Sequence, residues 1–340
     1  MKSSEIHSLI DELHRQAQAT GFCGIGFADA IPGQDPVFRD WLARSHHAGM
    51  HYLERHAPLR EQPDLLLSGV KTILIAALPY SAGSVGAAGY AAYAQGTDYH
   101  EVLRQKLTRL ADLIRHRLPE TRTRIAVDSA PISERGTALR AGIGWRGRQG
   151  QVIRADSGAR LLLGEILMTA HLPPSAPVDN LCGTCDLCLT ACPTGALQAD
   201  GTVDARRCLS YWTIEHHGPI PEEIRDKMGS SLFGCDRCVA VCPWNSKATA
   251  PAPPEWGSAP LPSPAACLEL DQAGFLSIFR HSVVRRTGLK GLQRNALIVL
   301  GNRGAPESLP DLSRFAESTR DPDLHELADW ARHKIRPAGE

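Results

Sequence analysis

Neither sign of charge is in excess in this 340-residue chain: Lys plus Arg number 37, and Asp plus Glu also number 37. A polyanionic partner would therefore have to be met by a local basic patch, since the chain has no global positive field. No apolar run approaches the roughly 20 residues that a membrane-spanning helix requires. The N-terminal stretch reads as an amphipathic helix rather than a secretory signal, because Lys2, Glu5, His7, Asp11 and Glu12 alternate with Ile6, Leu9, Ile10 and Leu13. There is no long repeat array and no disordered tail. These absences lead us to expect a cytoplasmic protein that does not contact a membrane. The cysteines are not spread out as a disulfide framework would be, since eight of the ten fall between Cys182 and Cys242. A chain this long can bury enough core to fold without staples, so these cysteines point to chemistry in a reducing compartment.

Two composition shifts divide the chain. One is the stretch His171-Leu172-Pro173-Pro174-Ser175-Ala176-Pro177, and the other is the Pro-rich stretch from Pro251 to Pro264. The expected units are 1–175, 176–250 and 265–340. In the first, Thr72 to Leu78, Arg124 to Val127 and Arg160 to Met168 read as strands. Between Asp98 and Leu118, Val102, Leu103, Leu107, Leu110, Leu113 and Ile114 recur at helical spacing, and further helices are expected near Phe38 and Leu139. The unit is of α/β or α+β type. In the last unit, Leu289, Leu292, Ala296, Leu297 and Leu300 form one apolar stripe, and Leu324, Leu327, Ala328 and Ala331 form another.

The run Cys182-x2-Cys185-x2-Cys188-x3-Cys192-Pro193 has the spacing of bacterial ferredoxins. A short loop with a cysteine at every third residue covers three iron corners of a cubane, and the fourth corner needs a remote ligand. A second, shorter run follows as Cys235-x2-Cys238-x3-Cys242-Pro243. In two-cluster ferredoxins, the last cysteine of each run serves the other cluster. That rule assigns Cys182, Cys185, Cys188 and Cys242 to one 4Fe-4S cluster. Cys192, Cys235 and Cys238 go to the second, and Cys208 fills the remaining place. Zinc would need only four thiolates, leaving the tight run, the two prolines and Cys208 unexplained. Cys23 and Cys267 stand apart and read as small buried residues.

Paired clusters carry single electrons, so the leading unit has to use them for something. Gly142-Ile143-Gly144-Trp145-Arg146-Gly147 matches a dinucleotide fingerprint by letter, but it follows a helical stretch and leads into the extended run Gln151-Val152-Ile153. A dinucleotide loop has the opposite context, so this one reads as a tight packing loop.

Several stretches together make the chain recognisable. They are Gly49-Met50-His51-Tyr52-Leu53-Glu54-Arg55-His56, Asp98-Tyr99-His100-Glu101-Val102-Leu103, Val127-Asp128-Ser129-Ala130-Pro131-Ile132-Ser133-Glu134-Arg135 and Ala141-Gly142-Ile143-Gly144-Trp145. Further along come Cys182-Gly183-Thr184-Cys185, Arg207-Cys208-Leu209-Ser210-Tyr211-Trp212-Thr213-Ile214-Glu215, Cys242-Pro243-Trp244-Asn245, Arg294-Asn295-Ala296 and Leu300-Gly301-Asn302. Over nearly its whole length the chain resembles the epoxyqueuosine reductases. The resemblance implies an α+β protein with an α/β cobalamin-binding domain, a ferredoxin-like domain with two 4Fe-4S clusters, and HEAT-like C-terminal helices. It also implies reduction of epoxyqueuosine to queuosine at the tRNA wobble position, as the last step of queuosine biosynthesis, with electrons passing through the clusters to cobalamin. The expected partners are tRNA carrying epoxyqueuosine in the anticodon and an external electron donor, with the protein acting as a monomer. One departure stands out: where the family has Gly-Lys-Asn, this chain has Gly147-Arg148-Gln149.

Removing an epoxide oxygen as water takes two electrons and also protons, which clusters do not supply. Asp128 ends an apolar strand and matches the family's proton donor, so it is the candidate acid. A neutral carboxylic acid there would need its pKa raised by burial. On residues alone, Asp128 or Ser129 could equally cap a helix ahead of Pro131. Arg55, Tyr99, His100 and Trp145 are expected around the corrinoid, with Ser210 where electrons leave for cobalt and Glu134 and Arg135 as a structural pair. Arg280, Arg285, Arg286, Lys290, Arg294 and Arg303 form a basic run without Asp or Glu, the candidate phosphate contact. Two other readings, a cobalamin-dependent reductive dehalogenase and a ferredoxin-type electron carrier, would use the same cysteines.

Overall fold

The computed structural model describes residues 3–33, 35–80, 87–249 and 260–335. Among the described residues six strands are present: β1 (Gly24–Asp29), β2 (Thr72–Pro79), β3 (Thr123–Ala126), β4 (Trp145–Arg146), β5 (Val152–Ile153) and β6 (Leu161–Met168). Four of them form a sheet in the order β1-β2-β6-β3, and β4 pairs with β5 in a separate ribbon. Every neighbouring pair in the larger sheet is antiparallel. The leading unit is therefore α+β, and the α/β label expected for it is corrected. The three strands read from apolar runs are present to within a residue or two at either end. β1 was not anticipated, because its two glycines dilute the alternation that marks a strand.

The apolar run of β2 reflects burial on both faces, with all eight residues buried. On one face, the helices Ser3–Ala19 and Tyr99–Arg117 bring Leu9, Leu13, Leu103, Leu107 and Leu110 against Leu74, Ala76, Leu78 and Ile166. On the other, Ile75 and Ala77 meet Ala138, Ala141 and Ile143. The glycine motif lies at this second face. Cβ atoms would come within 2.2 Å of the Ala176 carbonyl oxygen at Gly142 and 2.0 Å of the Ile153 carbonyl oxygen at Gly144, as expected of a tight packing loop.

The chain ends in the helices Gly288–Arg303, Leu309–Ser318 and Pro322–Ile335. Their core is shared with Leu209, Ile214, Met228, Leu232 and Phe233, which lie between the two cysteine runs. Of the Pro-rich stretch, residues 251–259 lie outside the described residues, and Pro264 opens a short helix capped by Ser263. Arg294 is only 4 % exposed. Its guanidinium donates to the carbonyls of Trp212, His216 and Gly218 at 2.8, 2.7 and 2.9 Å. The neighbouring Asn295 amide donates to the carbonyls of Thr213 and Leu232. Arg294 thus leaves the list of phosphate contacts, because its charge is spent on the turn that follows the helix Leu209–Ile214. Lys290 is also engaged, by Asp321 and Asp323.

Arg294→Ala leaves three carbonyls without their buried donor and is expected to cost roughly 3 kcal/mol of stability. Arg303→Ala, at an exposed position, should cost less than about 0.5 kcal/mol. Denaturant midpoints of the two variants measure the difference.

Candidate active site and cluster site

The two cysteine runs meet in space. Cys182, Cys185, Cys188 and Cys242 line one cavity of about 170 Å³, together with Arg148, Gln149, Ile153 and Trp244. This is the quartet that ligand exchange predicts for the first cluster. Cys192, Cys208, Cys235 and Cys238 lie close enough to act on one another electrostatically. Burial and the neighbouring thiols raise the pKa of Cys238, whose environment favours the neutral thiol until a metal takes the proton's place. Cys192 goes the other way. Burial pushes its pKa up, but Thr194 and the main-chain N–H of Ala196, at 3.3 Å, bring it below the usual thiol value. Cys208 precedes the helix Leu209–Ile214, with the main-chain N–H groups of Ser210 and Tyr211 towards its thiol. All ten cysteines are free. Cys267 is fully buried and Cys23 partly so, as expected for packing residues.

A second group of polar side chains forms where β3 ends. Asp98 caps the helix Tyr99–Arg117, its Oδ1 accepting the His100 N–H at 2.9 Å. The same oxygen lies 2.7 Å from His100 Nδ1, and His100 Nε2 lies 3.1 Å from Asp128 Oδ2. The imidazole is therefore held between two carboxylates, which favours the doubly protonated ring. Burial lowers the His100 pKa, but its bonds to Asp128 and Asp98 outweigh this and raise it to about 9. Asp128 responds in the opposite sense. Burial raises its pKa, and the hydrogen bonds and charge from His100, with Tyr99 and Arg286, more than offset this and hold it below the usual carboxylate value. Among these side chains alone, the pairing favours the proton on His100 and the carboxylate form of Asp128.

The backbone at Asp128 is unusual, with φ at +42°, in the left-handed region that non-glycine residues seldom adopt. Its N–H donates to Glu134 Oε1 at 2.5 Å. Neither Asp128 nor Ser129 caps a helix, since the cap position before the helix Glu134–Arg140 belongs to Ser133. Glu134 and Arg135 are not hydrogen-bonded to each other. Glu134 holds the Asp128 loop, while Arg135 donates to the Gly150 carbonyl.

The remaining predicted residues divide between the two sites. Tyr99 stacks on His100 at 4.2 Å and lies near enough to Asp128 for the two groups to shift each other's pKa. Arg55 is exposed on the short helix Tyr52–Arg55. Trp145 is brought to the cysteines: it is 4 % exposed, packs edge-on to Trp244 at 4.9 Å, and shares a core with residues against which Cys182, Cys238 and Cys242 rest. Ser210 lies two residues past Cys208 on its helix. Sequence reasoning missed Tyr52 and Glu215. The Arg286 guanidinium is clamped by the Glu215 carboxylate, donates to the Tyr52 hydroxyl at 3.2 Å, and lies over the Tyr52 ring. Both partners lie inside stretches that carry the family resemblance. That was the only available signal, because a basic run does not show which of its members turns inward.

Eight clustered cysteines in two groups of four, as ferredoxin-type clusters require, place the chain among iron–sulfur proteins. Residues 181–245 match the family described as a 4Fe-4S double cluster binding domain, a span that contains all eight clustered cysteines. Residues 60–129 match the family described as epoxyqueuosine reductase QueG, DUF1730. An epoxyqueuosine reductase of Vibrio cholerae is 34 % identical over 96 % of this chain and 92 % of its own. One from Escherichia coli K12 is 35 % identical over 90 % of this chain and 84 % of its own. A crystal structure of an epoxyqueuosine reductase with a tRNA-Tyr epoxyqueuosine-modified stem loop superposes with a TM-score of 0.88, at 31 % identity, over 97 % of this chain and 91 % of that one. The chain belongs to the epoxyqueuosine reductase family. Among the described residues, no helix is long and apolar enough to cross a membrane.

The folded His100 pKa lies above the ordinary imidazole value of 6.5, at about 9. The pairing therefore stabilises the fold fully below the lower value, and this contribution is lost as pH rises through the higher one. The stability gap between the native chain and His100→Gln should be on the order of 2–3 kcal/mol in mildly acidic buffer and should close on the alkaline side. Urea denaturation across that window measures it.

Proposed function

We infer that this enzyme reduces the epoxide of epoxyqueuosine to queuosine in the wobble position of tRNA anticodons. The observation that carries the reading is the half-exposed Asp128, 3.1 Å from His100, in a chain whose eight clustered cysteines lie in a segment matching a 4Fe-4S double cluster binding domain. Family membership favours this over a dehalogenase or a simple electron carrier. We assign Cys182, Cys185, Cys188 and Cys242 to one 4Fe-4S cluster and Cys192, Cys208, Cys235 and Cys238 to the other. In this reading residues 1–175 are the cobalamin-binding catalytic domain, 176–250 the ferredoxin-like domain, and 265–340 a HEAT-like region facing tRNA. The enzyme works as a cytoplasmic monomer fed by an external electron donor.

The cluster cavity fits its group by chemistry, with four thiols around one space. For cobalamin the candidate residues are the stacked Tyr99 and His100 with Asp128, aromatic and polar groups of the kind that suit a macrocycle with amide side chains. Tyr99, His100 and Asp128 would hold it, with Arg55 at the rim, Trp145 bridging towards the cysteines and Ser210 next to a cluster ligand. Bound there, cobalamin supplies a metal centre able to take electrons from the clusters and deliver them to the epoxide. This chain's own residues handle the protons. His100 stores one between two carboxylates, and Asp128, half-exposed, relays it to the oxygen as the C–O bond breaks. The clamped Arg286 lowers the cost of keeping Asp128 ionised beforehand. Of the basic run, Arg280 and Arg285 are exposed and available to phosphate.

Asp128→Asn should keep its clusters and corrinoid by absorption yet lose turnover by at least about 100-fold, the scale of general acid catalysis. Nucleoside analysis after anaerobic incubation with epoxyqueuosine-containing tRNA reads it, and unimpaired turnover removes Asp128 from the mechanism. Cys208→Ala should halve the iron bound after reconstitution, since one cluster loses a ligand and the other does not. Reversing the charge of Arg280 and Arg285 together should weaken tRNA binding and flatten its salt dependence, with cofactor absorption unchanged.

A further inference from the structure

Three side chains that the mechanism does not use converge at the helix Tyr52–Arg55. His47, His51 and Glu54 follow one another in the sequence as His-x3-His-x2-Glu. His51 takes the cap position before the helix, and Glu54 lies within it. His47 Nε2 stands 3.1 Å from Glu54 Oε1, and His51 Nδ1 stands 3.3 Å from Glu54 Oε2. The carboxylate is thus set between two imidazoles, one to each oxygen. One ligand atom from each of the three residues lies within 4.8 Å of the other two. The His47 ring is fixed: its side chain is only 4 % exposed and packs edge-on to Trp41 at 6.1 Å. Trp41 is itself anchored, its indole N–H donating to the Val203 carbonyl at 2.7 Å.

A tetrahedral ion that binds nitrogen and oxygen at about 2.0–2.1 Å sets its ligand atoms roughly 3.4 Å apart. The two measured separations match that edge, and the third can be closed by His51, whose side chain is 70 % exposed. As ion pairs, contacts open to solvent contribute little to stability. As ligands, two imidazoles and one carboxylate make a donor set suited to borderline divalent cations. We propose that His47, His51 and Glu54 form a site for a zinc-class divalent cation, with water completing the coordination. Each imidazole is then neutral and turns a lone pair, not an N–H, towards the ion. The role of the ion is structural. The Gly49 N–H donates to the Tyr211 hydroxyl at 3.1 Å, on the helix that follows Cys208. The Ala205 N–H donates to the His46 carbonyl at 2.8 Å, and Arg286 donates to the Tyr52 hydroxyl at 3.2 Å. An ion joining His47 to His51 and Glu54 ties this turn to its helix, and so fixes the segment through which the leading unit meets the cysteine-bearing one. Neither the clusters nor the corrinoid enters the argument, so it stands apart from the reaction.

The test uses the reconstituted, cluster-loaded enzyme, dialysed anaerobically against micromolar zinc sulfate, with zinc and iron counted by mass spectrometry. The native enzyme should take up one more zinc per chain than His51→Ala or Glu54→Gln, with iron equal in all three. Both substitutions fall on exposed side chains and leave buried His47 in place. Each should weaken zinc binding at least about tenfold, the loss that follows even from removing an outer-shell partner of a metal. Zinc should also raise the melting temperature of the native enzyme and not that of either variant. X-ray absorption at the zinc edge should show nitrogen and oxygen neighbours at about 2.0 Å, without sulfur at about 2.3 Å. Equal zinc uptake by the native enzyme and both variants overturns the proposal. A sulfur-dominated spectrum overturns it too, since the ion would then sit on cysteine thiols.

Discussion

The cysteine-bearing segment packs along both its flanks, and this packing positions the rest of the site. On one side, Cys182, Cys238 and Cys242 rest against the core of Trp145, Ile153, Ala159 and Val239. On the other, residues from Leu209 to Phe233 share a core with the C-terminal helices, and buried Arg294 and Asn295 bind the intervening carbonyls. Short helices and turns interrupted by thiols bury little apolar surface of their own. By packing against both neighbours, the segment holds its two thiol quartets in place. The same packing brings Glu215 beneath Arg286 and Arg286 towards Asp128.

Around Asp128, the electrostatics are those of a shared proton. One carboxylate caps a helix and orients an imidazole, and the second accepts from the other ring nitrogen. Two anions around one ring favour its cationic form, so acid strength belongs to the pair as a unit. Glu134 and Glu165 behave differently because they are buried without a cation dedicated to either one, and burial favours their neutral forms. Within a few residues of one strand end, the fold holds both ionised and neutral carboxyl groups.

Much of this was legible in the residues. The helix from Tyr99 to Arg117 followed from six apolar residues at helical spacing. The grouping of Cys182, Cys185, Cys188 and Cys242 followed from ligand exchange between the two runs. Other features depended on distant partners. Strand direction was illegible because apolar runs do not encode it, and Arg294 looked like a phosphate contact because burial depends on how helices pack. The partner of Asp128 is illegible for a related reason: His100 lies 28 residues away in sequence, and nothing local shows that its ring reaches the carboxylate.

The left-handed backbone at Asp128 bears on how this position can vary. Few side chains tolerate a φ of +42°, and β-branched residues tolerate it least, whereas aspartate, asparagine and glycine adopt it at small cost. Drift at this site is thus confined to a narrow set of neighbours in sequence space, most of which keep the loop in place while losing the acid. A single substitution to asparagine or glycine here would remove the carboxylate that His100 faces and leave the loop's backbone path open to the same fold.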